Sequence, residues 1–128
     1  MGLFPLHYIM KKCILIYDDD QEMLFLCKEI LQGDKYHVET LTRCIHVIAD
    51  IDLYKPDIIL MDLWISEAGG EKAIITIKEN PATQHIPVLI FSANVEVREI
   101  CKRIHANGYI EKPFDIAALR QTIADNIL

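Results

Sequence analysis

Hydrophobic and polar positions along the chain alternate between two spacings. "KCILIY" (12–17) is an unbroken apolar run of strand length. "DQEMLFLCKEILQG" (20–33) then sets Met23, Leu24, Cys27, Ile30 and Leu31 at helical spacing, with Asp20 as a cap and Gly33 as a stop. "YHVETL" (36–41) predicts a second strand, and "RCIHVIADIDLY" (43–54) a helix with Cys44, Val47, Ile48 and Ile51 on one face. "PDIILMD" (56–62) predicts a third strand, "EAGG" (67–70) a loop, and "EKAIITIKEN" (71–80) a helix ended by Pro81. "IPVLIFSA" (86–93) reads as the fourth strand. "VEVREICKRIHA" (95–106) follows as a helix burying Val97, Ile100, Cys101 and Ile104. "GYIEKP" (108–113) holds a short fifth strand, and 115–128 closes with a helix showing Ile116, Leu119, Ile123 and Ile127. Five strands alternating with five helices predict an α/β fold, a parallel sheet with helices on both faces. The strands are apolar throughout, as parallel strands buried on both sides should be.

Size and composition narrow the field. A chain of 128 residues, 52% apolar, suits one globular domain. The net charge of −6, with no basic patch, argues against a nucleic-acid surface. No apolar run reaches a membrane span, and the positive charges of "MGLFPLHYIMKK" follow its apolar part, the reverse of a secretory signal. Met10 would make a natural start, so residues 1–10 are expected to be an N-terminal extension or cloning remnant, with the domain at 11–128. Cys13, Cys27, Cys44 and Cys101 lack metal or disulfide spacing and read as reduced core thiols of a cytoplasmic protein. The five histidines show no ligand-like grouping.

Ligands of open α/β sheets bind beyond the carboxyl ends of the strands, where strand order reverses. Here those ends carry Asp18 and Asp19 on the first strand, with Asp20 opening the helix, Asp62 on the third, Ser92 on the fourth and Lys112 on the fifth. If those four strands are neighbours, three carboxylates, a hydroxyl and an ammonium converge. Clustered carboxylates repel unless a cation or proton joins them. Hard oxygen ligands without His or Cys suit Mg²⁺. With Lys112 opposite, such a site is built to receive a phosphoryl group, and one carboxylate could attack phosphorus to become an acyl phosphate.

"LIYDDD", "PDIILMDLWI", "PVLIFSA" and "GYIEKPF", in this order and at these intervals, resemble the receiver domain of two-component response regulators over about residues 11 to 127. The resemblance implies a flavodoxin-like fold, a five-stranded parallel sheet of order 2-1-3-4-5 doubly wound with five helices. It implies that Asp62 is the phosphoacceptor. Asp18 and Asp19 would be the acidic pair that holds Mg²⁺, joined by Asp62 and the backbone carbonyl of Trp64. Ser92 corresponds to the hydroxyl residue that bonds the phosphoryl group, Lys112 to the lysine that pairs with it, and Lys112–Pro113 to a bond usually cis. Tyr109 corresponds to an aromatic switch residue that follows Ser92. Asp20 would only cap its helix. The implied function is a phosphorelay signalling domain, not a conventional enzyme, that promotes its own phosphorylation and dephosphorylation. Its implied partners are a histidine kinase or histidine phosphotransfer protein and a downstream protein at the face of helix 4, strand 5 and helix 5. A homodimer is left open, while direct nucleic-acid and membrane binding are not expected. With no effector domain visible, output would pass through a partner, or the receiver belongs to a longer chain.

Departures from the family pattern qualify this expectation. Ser66 stands where relatives usually have proline, and Gly69-Gly70 replaces Asp-Gly, so a more mobile loop is expected after Asp62. Tyr17 is bulkier than the common residue, and Trp64 and Asn94 border the expected phosphoryl position. The Trp64 indole is a candidate shield for an acyl phosphate, although a partner contact is the stronger reading. A degenerate receiver acting as a constitutive interaction module is the main alternative. An aspartyl phosphohydrolase would usually place a carboxylate where Trp64 stands, and a dinucleotide carrier would need a glycine-rich loop after the first strand.

Overall fold

The computed structural model describes residues 11–65, 69–93 and 95–127. Five strands, β1 (Cys13–Tyr17), β2 (His37–Leu41), β3 (Ile58–Asp62), β4 (Val88–Ser92) and β5 (Gly108–Glu111), form one parallel sheet in the order β2-β1-β3-β4-β5. Between them run α1 (Gln21–Gly33), α2 (Val47–Tyr54), α3 (Gly70–Glu79) and α4 (Val97–Arg103), and α5 (Ile116–Asn126) follows β5. The register aligns Tyr17 with Met61, Asp62 with Phe91, and Ser92 with Glu111. The carboxyl ends of β1, β3, β4 and β5 therefore lie side by side.

Alternation along each strand divides the core in two. Leu15, Tyr17, Ile59, Met61, Val88 and Ile90 point to the face covered by α2, α3 and α4. Ile14, Ile16, Ile58, Leu60, Leu89 and Phe91 point to the face covered by α1 and α5. All residues of β1, β3 and β4 are buried, because helices on both faces exclude water. The four cysteines are buried and free. Among the described residues, no helix is long and apolar enough to cross a membrane.

Several boundaries differ from the sequence expectation. The second helix begins at Val47, not at 43, because Cys44 reaches the core from the loop ahead of it, its Sγ 3.7 Å from the Gly69 carbonyl. Burial from a loop keeps the apolar periodicity without helical hydrogen bonds. The fourth helix is trimmed to Val97–Arg103: Val95 is 97% exposed, and His105 turns left-handed at φ 62° just past the other end. Gly70 starts α3 instead of ending a loop, and residues 67 and 68 of the loop expected over 67–70 lie outside the described residues. Gly33 closes α1 within the helix, and Lys35 takes the left-handed turn at φ 70°. Ile116, expected in the core, is 46% exposed at the first turn of α5. Asp20 caps α1 as expected, accepting the backbone N–H groups of Glu22 and Met23, and Asp115 caps α5, accepting that of Ala118. Asn80, before Pro81, is extended as the proline requires.

Candidate functional site

The site forms where β1, β3 and β5 end. Asp18 immediately follows β1 and is 1% exposed, and Asp62 is the last residue of β3 at 6%. Asp19 beside them is exposed. One carboxylate oxygen from each of the three lies within 4.8 Å of the others. Such a group is costly unless positive charge offsets it. Lys112 supplies that charge: its Nζ is 2.7 Å from Asp18 Oδ2 and 3.7 Å from Asp62 Oδ1. The ammonium lies over the Phe91 ring, Nζ 4.6 Å from its centroid, and Phe91 in turn packs on Phe114. The Lys112–Pro113 peptide bond is cis.

Hydrogen bonds hold both buried carboxylates. Asp18 Oδ1 accepts the backbone N–H of Asp20 at 3.0 Å, and Asp62 Oδ1 that of Trp64 at 3.3 Å. Burial pushes the Asp62 carboxyl up from the ordinary 3.8 to about 6. Lys112 opposes that shift most strongly, Asp18 adds to it, the Trp64 N–H bond opposes it, and Asp19 adds to it. Protonation of Asp62 is thus one answer to the crowding, and a bound cation is another. The donors are all carboxylate oxygens, with no His or Cys among the described residues in the group, which fits a hard ion such as Mg²⁺.

Ser92 ends β4 fully buried, and its carbonyl accepts the backbone N–H of Lys112 at 2.9 Å, tying the two predicted residues together through the sheet. Tyr109 is half-buried on β5, and its hydroxyl receives Arg98 Nε of α4 at 3.2 Å. Trp64 is 68% exposed. Ser66 and Asn94 lie outside the described residues.

Residues 14–124 match the family model of the response regulator receiver domain. The chain belongs to the response regulator receiver family. It is 33% identical over 116 residues to the transcriptional regulatory protein KdpE of Staphylococcus aureus, covering 89% of this chain and 49% of that protein. It therefore spans about half the length of that relative. It is 28% identical to the chemotaxis protein CheY of Halobacterium salinarum, covering 91% of this chain and 97% of that one. Of solved structures, CheY4 of Vibrio cholerae superposes with a TM-score of 0.84 at 21% identity, covering 92% of this chain and all of that one. The receiver domain of sensor histidine kinase PA1611 of Pseudomonas aeruginosa, with magnesium coordinated in its active-site cleft, superposes with a TM-score of 0.82 at 24% identity. That match covers 91% of this chain and 97% of that domain. Receiver domains are signalling domains of two-component systems, which is the general role of this chain.

Sequence reasoning missed three contacts of the site. Phe91, under the Lys112 ammonium, read only as core. Tyr17 Oη donates to Asp50 Oδ2 on α2 at 2.8 Å, 33 residues away, which no local pattern announces. Gly70 packs so closely on β3 that a Cβ there would stand 2.0 Å from the Asp62 carbonyl oxygen. The double glycine was the available signal for that contact.

Proposed function

We propose that this receiver accepts a phosphoryl group on Asp62 from a phosphohistidine of a histidine kinase or phosphotransfer protein. The observation that carries the reading is the convergence of Asp18, Asp19 and Asp62 on one spot with Lys112 against them. A carboxylate oxygen of Asp62 attacks phosphorus in line. The P–N bond breaks, its electron pair returns to the imidazole nitrogen, and an aspartyl phosphate forms. Mg²⁺, held by Asp18, Asp19, Asp62 and the Trp64 carbonyl, would supply electrostatic neutralisation of the phosphoryl oxygens. Lys112 adds a second fixed charge, and the Ser92 hydroxyl donates to a phosphoryl oxygen. Burial of Asp18 and Asp62 keeps bulk water from screening these interactions.

The added charge biases Ser92 and then Tyr109, altering the face of α4, β5 and α5 that a downstream protein reads. Arg98, bonded to the Tyr109 hydroxyl, lies on that face. The functional unit is 11–128, acting in the cytoplasm, with residues 1–10 as an extension. Intact mass after incubation with acetyl phosphate and MgCl₂ tests the reading. The wild type gains one phosphoryl group, and Asp62→Asn gains none. Equal masses with and without acetyl phosphate in the wild type would leave the chain a constitutive interaction module.

A further inference from the structure

A groove of about 770 Å³ runs between α3 and α4 at the amino-terminal ends of β4 and β5, the end of the fold opposite Asp62. Its size is that of a small-molecule site. Ile75 and Ile104 give it an apolar wall. Lys78, His85, Arg103 and His105 bring four nitrogen-bearing side chains to it, against one carboxylate, Glu79. The chain as a whole carries a net charge of −6, so this surplus of donors runs against the rest of the composition.

Lys78 is the group that asks for a ligand. It is half-buried in the last turn of α3, and its Nζ donates to the backbone carbonyls of Gln84 at 3.2 Å and Ile86 at 2.6 Å. An ammonium has three N–H donors, so one is left over. Among the described residues no carboxylate stands within ion-pair distance of it. Burial lowers its pKa below the ordinary lysine value, and no acidic neighbour opposes that shift. Carbonyl dipoles satisfy two of its hydrogen bonds but leave its charge without a counter-ion. Arg103 lines the groove from α4. Its Nη1 bonds Glu71, and among the described residues the rest of its five-donor fork is uncommitted.

We propose that this groove binds a phosphorylated small molecule about the size of a mononucleotide. A phosphoryl group offers three oxygens to an ammonium, a guanidinium and imidazole N–H groups at once, which a carboxylate cannot. The volume exceeds what a bare phosphate fills, and Ile75 and Ile104 receive the apolar remainder of the ligand. The site lies away from the acidic rim and calls for no metal, so it stands independently of phosphoryl transfer to Asp62. Because Lys78 and Arg103 belong to different helices, the ligand ties α3 to α4.

Amide correlation spectra of the whole chain, titrated in EDTA with AMP, adenosine and inorganic phosphate, test the proposal. EDTA removes any metal that would hold phosphate at Asp18 and Asp62. AMP is expected to shift the amides of Lys78, His85, Arg103 and His105 saturably, with a Kd of roughly 1 mM or tighter. Adenosine and inorganic phosphate should each bind at least about tenfold more weakly. Arg103→Gln should weaken AMP about tenfold, whereas Glu71→Gln, which frees the guanidinium, should leave AMP binding unchanged or tighten it. If the Arg103–Glu71 pair only braces the two helices, both variants weaken AMP alike, and that result overturns the proposal. So do an absence of saturable shifts in the groove, shifts confined to the acidic rim, or adenosine binding as well as AMP. Inorganic phosphate binding as tightly as AMP would overturn the assignment of a nucleotide-sized ligand. The wild-type spectra decide these last points whatever the variants do.

Discussion

At the scale of single residues, the site is governed by the cost of keeping Asp62 charged in a buried place. Its carboxyl titrates near 6 in the folded metal-free chain, against 3.8 ordinarily. A raised carboxylate opposes folding wherever it is ionised, so the sign is the reverse of a salt-bridged aspartate. The penalty is absent below about pH 3.8, grows between there and about pH 6, and is complete above, at roughly 3 kcal/mol. Asp62→Asn removes the charge at nearly constant volume. Denaturation in EDTA should show the variant more stable than wild type at pH 7 by up to about 3 kcal/mol, with the gap closing toward pH 4. An equal gap at both pH values would assign the effect to packing instead. Protons also compete with metal at this carboxylate, so Mg²⁺ affinity should weaken about tenfold per pH unit below about 6.

The convergence of Asp18, Asp62 and Lys112 was legible for a simple reason. A charged side chain at the end of an apolar strand is either an error of register or a site, and three such strand ends agreed with one another. The Tyr17–Asp50 bond was not legible. Its hydroxyl had to find a partner when the ring was buried, and nothing in the local pattern says which of the acidic residues on the neighbouring elements would serve.

At the scale of elements, the decisive contact is the seat of α3 on the end of β3. Gly69 stands at φ 73°, a conformation that side-chain-bearing residues resist, yet a Cβ there would meet open space. Gly70 has ordinary backbone but no room, its would-be Cβ falling 2.0 Å from the Asp62 carbonyl oxygen. The two glycines are therefore required for different reasons, and their alanine variants should separate. Gly69→Ala should lower stability by about 1–3 kcal/mol through backbone strain. Gly70→Ala must move α3 or the end of β3, so it should cost about 1–3 kcal/mol and also weaken Mg²⁺ binding, since Asp62 moves with its backbone. Calorimetry of both variants checks this. A Gly70→Ala protein with wild-type metal affinity would show that α3 yields and the acceptor does not.

Element existence and order along the chain were legible because apolar runs and helical periodicities do not overlap. Element ends were less so. Burial of Cys44 from a loop imitates another helical turn, and the exposure of Ile116 and Val95 depends on where helices start relative to the sheet rim. That depends on packing across the fold, which a local window does not contain.

At the scale of the whole molecule, parallel winding gathers every strand's carboxyl end onto one rim and leaves the two faces to hydrophobic cores. Alternation of strands and helices revealed the parallel sheet. Strand order is another matter: no periodicity fixes whether the chain steps left or right after β2, and only the family motifs supplied the order that the structure has. The architecture concentrates unfavourable charge in one place while the rest of the fold supplies the stability that tolerates it. A ligand that relieves that charge should therefore stabilise the entire domain cooperatively, since β1 and β3 lie at the centre of the sheet and cannot open locally. At a free Mg²⁺ concentration ten times its Kd, linkage gives about 1.4 kcal/mol. For a domain of this size that is a rise in Tm of about 5 °C. Thermal scans in EDTA and in MgCl₂ at pH 7.5 should show it, with one sharp transition in both. Asp18→Asn should lose most of the rise while keeping the single transition. If the Asp18→Asn protein shows the full rise, the ion acts elsewhere on the acidic surface and the rim pocket is not its site.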